Sequence, residues 1–173
     1  LEGREKALGA AHPATLDSVN NLGNLLRRKG DYEGAEALCR RALEGREKAL
    51  GAEHPVTLHS VNSLGILLRD KGDYEGAEAL YRRALEGREK TLGAEHPETL
   101  RSVGNLGILL YDKGDYEGAE VLFRRALEGK EKALGAEHPD TLGGVNSLGI
   151  LLYDKGDYEG AEALYRRALE GCE

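Results

Sequence analysis

The feature that most constrains this chain is a segment of 17 residues, Lys71 to Gly87, that recurs with a period of 42 residues. Near-identical copies of the segment start at Lys29, Lys113 and Lys155. A histidine followed by proline keeps the same step, at His12, His54, His96 and His138. Periods between about 20 and 50 residues are typical of stacked repeats that bury their apolar faces only against neighbouring repeats. The sequence therefore predicts a repeat protein.

Each repeat carries two stretches with helical periodicity. In the first repeat, leucine and valine recur at steps of three and four residues between Pro13 and Lys29, which predicts an amphipathic helix, named helix A. Gly30 ends this pattern, and Asp31 is a favourable N-cap for a second periodic run to Leu50, named helix B. Helices joined by so short a turn pack antiparallel. The predicted fold class is all-α, a solenoid of antiparallel helix pairs.

Small residues are predicted to set the geometry of each pair. Gly23 on helix A and Ala35 on helix B would let the two backbones approach closely. Gly51 follows the last apolar residue of helix B, so we expect it to end the helix in the left-handed conformation before His54-Pro55 starts the next one. Gly45 lies inside helix B, where glycine costs about 1 kcal/mol relative to alanine. We expect it either to permit close approach of the next repeat or to bend the helix.

The phase of the repeat predicts the domain organisation. We expect the tail of a preceding helix B at residues 1–8, repeats at 9–50, 51–92 and 93–134, and a fourth repeat at 135–173 with a truncated helix B. Both ends fall within helix B and the chain contains no methionine, so we expect either a natural fragment or an engineered piece of a longer array.

Charge and hydropathy argue against two classes of partner. The formal net charge is -7, and the acidic and basic residues are interspersed, so the chain lacks the basic stripe that binds nucleic acid. No apolar run approaches the roughly 20 residues of a membrane-spanning helix. We therefore expect a cytoplasmic protein that binds neither nucleic acid nor membranes.

The two cysteines lie more than three repeats apart, so an intramolecular disulfide is not expected. Cys39 occupies the position of Tyr81, Phe123 and Tyr165, which predicts a buried thiol. Cys172 occupies the position of Arg46, Arg88 and Lys130, which predicts an exposed thiol able to form intermolecular dimers under oxidation.

The spacing of small and aromatic residues resembles the tetratricopeptide repeat. The matching residues are Leu22, Gly23, Gly30, Tyr32, Ala35, Cys39 and Ala42. The 42-residue length is similar to the repeats of kinesin light chains and of regulators that join such arrays to nucleotide-binding signalling domains. The resemblance implies a right-handed superhelix whose A helices line a concave, peptide-binding groove. Val19 replaces the family's large aromatic residue, and Glu47 replaces its helix-ending proline, so helix B should run about two turns longer than usual.

Most differences between the four copies lie on one face of helix A, opposite its apolar stripe. The resemblance implies that this variable stripe binds the peptide. Asparagine amides can both donate to and accept from an extended backbone. Arginines make the first two repeats locally basic, and isoleucine and tyrosine supply an apolar floor further on, so a partner with acidic and bulky apolar residues fits best. The candidate peptide-binding residues are Asp17, Asn20, Asn24, Arg27, Arg28, His59, Asn62, Ile66, Arg69, Arg101, Asn105, Ile108, Tyr111, Asn146, Ile150 and Tyr153.

Other interpretations stay open. Neutral drift also leaves variation on a solvent-facing stripe, although exposed isoleucine in three successive copies favours an interaction site. Alternatively, the chain is a structural or regulatory array that associates head to tail or inhibits a larger signalling protein. Head-to-tail association is expected because the terminal helices lack polar caps, so their apolar faces should pack against neighbouring copies.

The sequence predicts no catalytic residue, no metal site and no cofactor. The histidines of successive repeats are at least a helix diameter of about 10 Å apart, too far for shared coordination of zinc. Ser60 and Ser102 have no plausible histidine and acid partners, and no glycine-rich phosphate loop follows a strand. His59 is the histidine on the variable stripe, and it would make affinity depend on pH if it contacts a ligand; a solvated histidine is the alternative.

Overall fold

A computed structural model describes residues 2–171 of the chain. The described residues form helices joined by short turns: α1 (Glu2–Leu8), α2 (Pro13–Arg28), α3 (Tyr32–Leu50), α4 (Pro55–Lys71), α5 (Tyr74–Leu92), α6 (Pro97–Asp112), α7 (Tyr116–Leu134), α8 (Pro139–Asp154) and α9 (Tyr158–Glu170). Helices α2, α4, α6 and α8 are A helices, and their first residues keep the 42-residue step of the sequence. Helix α3 continues to Leu50, which confirms the predicted extension of helix B. The chain divides into two compact units, residues 1–91 (unit 1) and 92–173 (unit 2).

The histidine of each His-Pro pair caps an A helix. Its Nδ1 accepts a hydrogen bond from the backbone N–H two residues later, at 3.1 to 3.2 Å, in all four copies. Proline at the first helical position already has the required φ and no N–H to leave unsatisfied. The repeated histidines therefore act as N-caps, which is a more specific role than marking the start of the next helix, as the sequence predicts.

Two kinds of glycine turn join the helices. Gly51 and Gly135 end B helices with φ of 93° and 92° and ψ of 162° and 161°. Their φ is positive as predicted, but their ψ is extended, in a region open essentially to glycine alone. Gly72, after helix α4, has φ 89° and ψ 3°, which lies in the left-handed helical region. The predicted left-handed cap is thus found between helices A and B, and the turn from B to A uses the extended form.

Glycines let each helix of a pair receive side chains of the other. A Cβ atom on Gly23 would lie 2.8 Å from Cys39 Sγ, which confirms the predicted close approach. A Cβ atom on Gly45 would lie 2.6 Å from Leu16 Cδ2. Gly45 therefore accommodates the leucine of its own helix A, and the expectation that it faces the next repeat is wrong.

Each unit has its own apolar core. In unit 1, Val19, Val61 and Tyr81 are fully buried, and α3 packs on α4. In unit 2, α7 packs on α8, and Phe123 and Val145 belong to one buried cluster. Within each unit, helix B of one repeat therefore covers helix A of the next. Cys39 is buried as predicted, and burial raises the pKa of its thiol.

Lysine clamps join successive repeats on the exposed side of helix B. In unit 1, Lys71 Nζ lies 2.7 Å from Glu33 and 2.9 Å from Glu36. In unit 2, Lys155 Nζ makes the equivalent contacts at 2.7 and 2.6 Å, with Glu117 and Glu120. This side of the molecule is therefore the same in both units.

Candidate peptide-binding site

The variable stripe is divided between buried, half-buried and exposed positions. Asn20 and Asn62 are only 3% and 4% exposed, so the expectation that their amides face solvent is wrong. Asn20 lies on the side of its A helix that faces the A helix of the next repeat, where it lines a cleft with Val56 and His59. The half-buried members are Asn24, Arg27, Ile66, Arg69, Asn105, Ile108 and Tyr111. The exposed members are Asp17, Arg28, His59, Arg101, Asn146, Ile150 and Tyr153.

The basic patch expected in the first two repeats is partly neutralised. Asp70 accepts a hydrogen bond from the Arg27 guanidinium across the two repeats, and it also pairs with Arg69 at 3.2 Å. Two of the three arginines therefore have an internal counter-charge, which corrects the expectation of a free cationic surface.

A cleft of about 440 Å³ lies between the first two repeats of unit 1 and is named cleft 1. Its lining residues are Asp17, Asn20 and Asn21 from α2, Arg46 from α3, and Pro55, Val56 and His59 from α4. Arg46 is 5% exposed, and its guanidinium donates to the Asp17 carboxylate at 2.5 Å and to the Ser60 hydroxyl. The arginine thus links three helices, and its charge is satisfied within the protein.

Sequence reasoning missed Arg46, although its position carried a signal. Cys39, Ala42 and Leu43 are buried, and residue 46 continues their three- and four-residue spacing. A cation in an apolar register predicts a buried, paired charge, because an unpaired one would be costly to desolvate. The equivalent position in the fourth repeat is Cys172, for which the sequence predicts exposure. Cys172 itself lies outside the described residues.

Asn20, which lines cleft 1, has a buried amide oxygen without a hydrogen-bond partner in the described part of the chain. Its Oδ1 atom is buried and has no hydrogen-bond partner within residues 2–171. Leaving a buried carbonyl unsatisfied costs about 1–3 kcal/mol, so such groups in native proteins are usually met by a ligand or by water. Cleft 1 is therefore lined by a residue whose amide oxygen receives no hydrogen bond from the described residues.

Unit 2 has a cleft of about 230 Å³ at the equivalent position, named cleft 2. Its lining residues are Arg101, Gly104, Asn105, Ile108, Phe123, Ala126, Lys130, Pro139, Asp140, Gly143, Gly144 and Ser147. Lys130 stands where cleft 1 has Arg46, and its ammonium donates to the backbone carbonyl of Asp140 at 3.2 Å. Burial lowers the pKa of Lys130. Cleft 2 therefore contains a partly desolvated cation.

An apolar recess of about 170 Å³ adjoins cleft 2. Ile108, Tyr111, Phe123 and Ile150 line it together with Asp112 and Ser147. The Tyr111 ring packs 5.6 Å from that of Tyr116, centroid to centroid. Its hydroxyl donates to the Asp154 carboxylate, and this hydrogen bond raises the pKa of Tyr111 to about 12. Of the isoleucine and tyrosine side chains predicted to form an apolar floor, Ile108, Tyr111 and Ile150 are thus brought together, whereas Ile66 lies in unit 1 and Tyr153 is exposed.

These features suit non-covalent recognition: an amide acceptor, a partly buried ammonium and an apolar recess. In the part of the chain that the structure describes, no group of three or more His, Cys, Asp or Glu side chains is placed to hold a metal ion. Among the described helices, none is long and apolar enough to cross a membrane.

Comparison with known protein families agrees with this architecture. The family model described as Tetratricopeptide repeat matches residues 14–90, 58–132 and 104–173, which together span almost the whole chain. The chain belongs to the tetratricopeptide repeat family. The predicted all-α repeat solenoid and the predicted family are confirmed by this match and by the helices described above. Tetratricopeptide repeats generally mediate protein–protein interactions, and the repeat is a scaffold fold.

Solved structures of similar fold include kinesin light chain-like repeats. A point variant of the nearly identical TPR-like repeats assigned to a kinesin light chain of Podosopora anserina is 25% identical, with a TM-score of 0.81 over 98% of this chain and 80% of that one. A second structure of those repeats gives a TM-score of 0.78 at 25% identity, over 98% and 81% of the two chains. BtubC (BKLC) from P. vanneervenii is 24% identical, with a TM-score of 0.81 over 91% of this chain and 63% of that one, and shows the fold alone. No curated protein matches the sequence significantly.

Proposed function

We propose that this tetratricopeptide array is a binding module that holds an extended peptide segment of a partner protein along its A helices. The observation that carries the proposal is the buried, unpartnered Oδ1 of Asn20 in cleft 1. An extended peptide presents backbone N–H groups that are not used within its own strand, and one of them would satisfy this oxygen once the Asn20 amide turns toward the cleft that it lines. The module acts by binding, without catalysis and without a cofactor.

The chemistry of the partner follows from the exposed and apolar surfaces. The recess formed by Ile108, Tyr111 and Ile150 favours a bulky apolar side chain, since apolar surface is released from water on binding. The exposed Arg28 favours acidic residues nearby. The preferred partner is a disordered segment that mixes acidic and bulky apolar residues.

A screen of disordered peptides that vary in acidic and aromatic content tests the proposal, with fluorescence anisotropy to measure affinity. Asn20→Ala should weaken the best peptide about fivefold, as expected for a hydrogen bond worth about 1 kcal/mol. The melting temperature is measured alongside, because Asn20 is buried and its truncation also removes packing contacts. Arg82→Ala, on the exposed side of helix B, is the matched control and should leave affinity unchanged. Equal affinity of the Asn20→Ala protein and the parent would place the site elsewhere.

End-to-end association is a second candidate function, favoured by two exposed leucines. Leu25 is 48% exposed, whereas its equivalents Leu67, Leu109 and Leu151 are fully buried. Leu169 is 71% exposed, whereas its equivalent Leu43 is 7% exposed. A second copy, or another array of this type, would cover these side chains as neighbouring repeats cover the others.

Light scattering over a wide range of protein concentrations tests this second function. The mass should rise with concentration, and the combined variant Leu25→Ser with Leu169→Ser should abolish the rise. A constant monomer mass up to millimolar protein would contradict self-association and would leave peptide binding unaffected.

A further inference from the structure

Clefts 1 and 2 occupy the same position of the repeat but differ in their polar residues. The equivalent of Asp17 is Arg101, and the equivalent of Arg46 is Lys130. Asn20, His59 and Ser60 of unit 1 correspond to three glycines, Gly104, Gly143 and Gly144. The change therefore replaces an acid with a base beside the cation and removes three polar side chains around it, while Val56 of cleft 1 becomes the acidic Asp140 of cleft 2.

In cleft 1 the protein supplies its own anion. The Asp17 carboxylate accepts from Arg46 at 2.5 Å, and the Ser60 hydroxyl accepts from the other terminal nitrogen of the same guanidinium. A buried cation is tolerated when a carboxylate and further hydrogen bonds surround it in this way.

In cleft 2 the corresponding cation lacks such a carboxylate. Within residues 2–171, no carboxylate oxygen is bonded to Lys130, whose hydrogen bond goes to the Asp140 backbone carbonyl. The Asp140 side chain acts on the ammonium only through space, and burial still lowers the pKa of Lys130. Arg101 cannot take the part of Asp17, because it carries the same sign of charge as Lys130, and it pairs with Glu98.

The glycines leave room for a group from outside. A Cβ atom on Gly104 or on Gly143 would have no neighbour within 4 Å, and one on Gly144 would lie 3.6 Å from Leu127 Cδ1. Phe123 and Ala126 line the cleft that these glycines open. The space therefore has an apolar wall, is otherwise lined by Arg101, Asn105, Asp140 and Ser147, and holds the partly desolvated ammonium of Lys130.

We propose that cleft 2 is a subsite for a glutamate-type side chain, whose methylenes pack on the apolar wall and whose carboxylate pairs with Lys130. In this arrangement a partner's carboxylate takes the place that Asp17 takes in unit 1. The subsite rests on the proposed peptide-binding function for its biological ligand, but its chemistry can be tested without a peptide. It adds a defined carboxylate subsite in unit 2 to the acidic preference attributed to Arg28 in unit 1.

N-acetylglutamate N-methylamide is a suitable probe, and the N-methylamide of N-acetylglutamine is its neutral control. The amide signals of Gly104, Gly143 and Gly144 in proton–nitrogen correlation spectra report on the cleft, because glycine amides have a characteristic nitrogen shift. The glutamate probe should move these signals saturably. The glutamine probe should bind about tenfold more weakly, as expected when one charge-assisted hydrogen bond is lost.

Two variants connect the effect to Lys130 and to the missing internal anion. Lys130→Gln should remove the preference for glutamate over glutamine. The combined variant Arg101→Asp, Lys130→Arg and Gly144→Ser restores the carboxylate, guanidinium and hydroxyl that are hydrogen-bonded to one another in cleft 1. It should remove the same preference, because the internal carboxylate then pairs with the cation. Unchanged melting temperatures establish that both proteins are folded.

Equal shifts with the two probes, or an unchanged glutamate preference in Lys130→Gln, would overturn the subsite. Tighter binding of the N-methylamide of N-acetylphosphoserine than of the glutamate probe would overturn the assignment to a carboxylate. These outcomes are separate from the proposed function, which is tested by Asn20→Ala in unit 1 with a whole peptide. Loss of the subsite with retained peptide binding would leave the module intact and without this specificity.

Discussion

The last turns of successive A helices are joined by Arg27 and Asp70 in unit 1 and by Tyr111 and Asp154 in unit 2. The aspartate and its position are the same, and only the donor differs. A guanidinium keeps its charge at all accessible pH values, whereas a phenol is neutral and loses its donor when it ionises. Equivalent positions of one repeat can therefore preserve a contact and change its charge and its response to pH.

The two clefts differ more deeply. In unit 1 the buried cation Arg46 is hydrogen-bonded to Asp17 and Ser60, and the buried polar atom of the cleft that lacks a partner among the described residues is the amide oxygen of Asn20. In unit 2 the cation Lys130 is partly buried beside three glycines. The repeat scaffold thus holds a cation at one fixed place, and substitutions around it decide whether a carboxylate of the protein is hydrogen-bonded to that cation.

The largest expected difference between the units comes from replacing these two cations with methionine, which keeps an apolar stem. Arg46→Met removes charge-assisted hydrogen bonds to Asp17 and Ser60, so the free energy of unfolding should fall by about 1.5–3 kcal/mol. Lys130→Met removes a partly desolvated charge that has one backbone hydrogen-bond partner, so the free energy of unfolding should change by less than about 0.5 kcal/mol. Urea denaturation followed by circular dichroism gives both values. Equal losses would show that Lys130 is as well paired as Arg46.

The glycines of helix α6 provide a second contrast within one element. A Cβ atom on Gly107 would lie 2.8 Å from the ring of the buried Phe123, whereas one on Gly104 would meet nothing within 4 Å. Gly107→Ala should therefore destabilise the protein by about 1 kcal/mol or more through overpacking. Gly104→Ala should stabilise it by about 0.5–1 kcal/mol, because alanine is the better helix former. Thermal denaturation of the two variants measures both, and the same sign of change would contradict the packing described for α6.

The aspartate contacts should separate the units at high pH. The hydrogen bond to Asp154 raises the pKa of Tyr111 to about 12 from an ordinary value of 10. The folded pKa is the higher one, so the stabilisation is fully present below pH 10 and is lost as the pH rises through about 12. The Arg27 contact of unit 1 should persist over this range, because arginine stays protonated.

Tyr111→Phe is the control for this pH effect, since it removes the hydroxyl and keeps the ring. The difference in stability between the parent and Tyr111→Phe should vanish as the pH approaches 12, in urea denaturation at several pH values. A difference that stays constant across this range would mean that the hydroxyl does not donate to Asp154.

The sequence was sufficient to predict the helices and their pairing, because the residues that determine them recur in every repeat. The apolar spacing after Pro13, the glycines and the close approach at Gly23 are all found in the structure. The capping role of the histidines was not predicted, since histidine is not among the usual N-cap residues. The outcome at Gly45 needed the structure, because a helical glycine can face either of two neighbours.

The candidate site was harder to predict, because a stripe on an isolated helix does not reveal what the next repeat covers. Asn20 and Asn62 lie on the predicted face and are nevertheless buried. Asp70 could not be chosen in advance as the partner of Arg27, because the contact spans 43 residues. Binding by the variable stripe remains a prediction, and Arg46 and Lys130 join it as residues of helix B.

The smallest expected effect concerns the lysine clamps, where the two units should behave alike. Hydrogen bonds from Lys71 and then Arg40 hold the pKa of Glu36 below its ordinary value of 4.5, and Lys155 and then Arg124 do the same for Glu120. Because the folded pKa is lowered, the stabilisation is present above pH 4.5 and is lost as the pH falls through the folded value. Glu36→Gln and Glu120→Gln should each lower the melting temperature slightly at neutral pH, by equal amounts and less in high salt, since exposed ion pairs are screened. Both differences should disappear in acid, when the parent carboxylates are protonated. Unequal effects of the two substitutions would show that the units differ on their exposed helix B side as well as in their clefts.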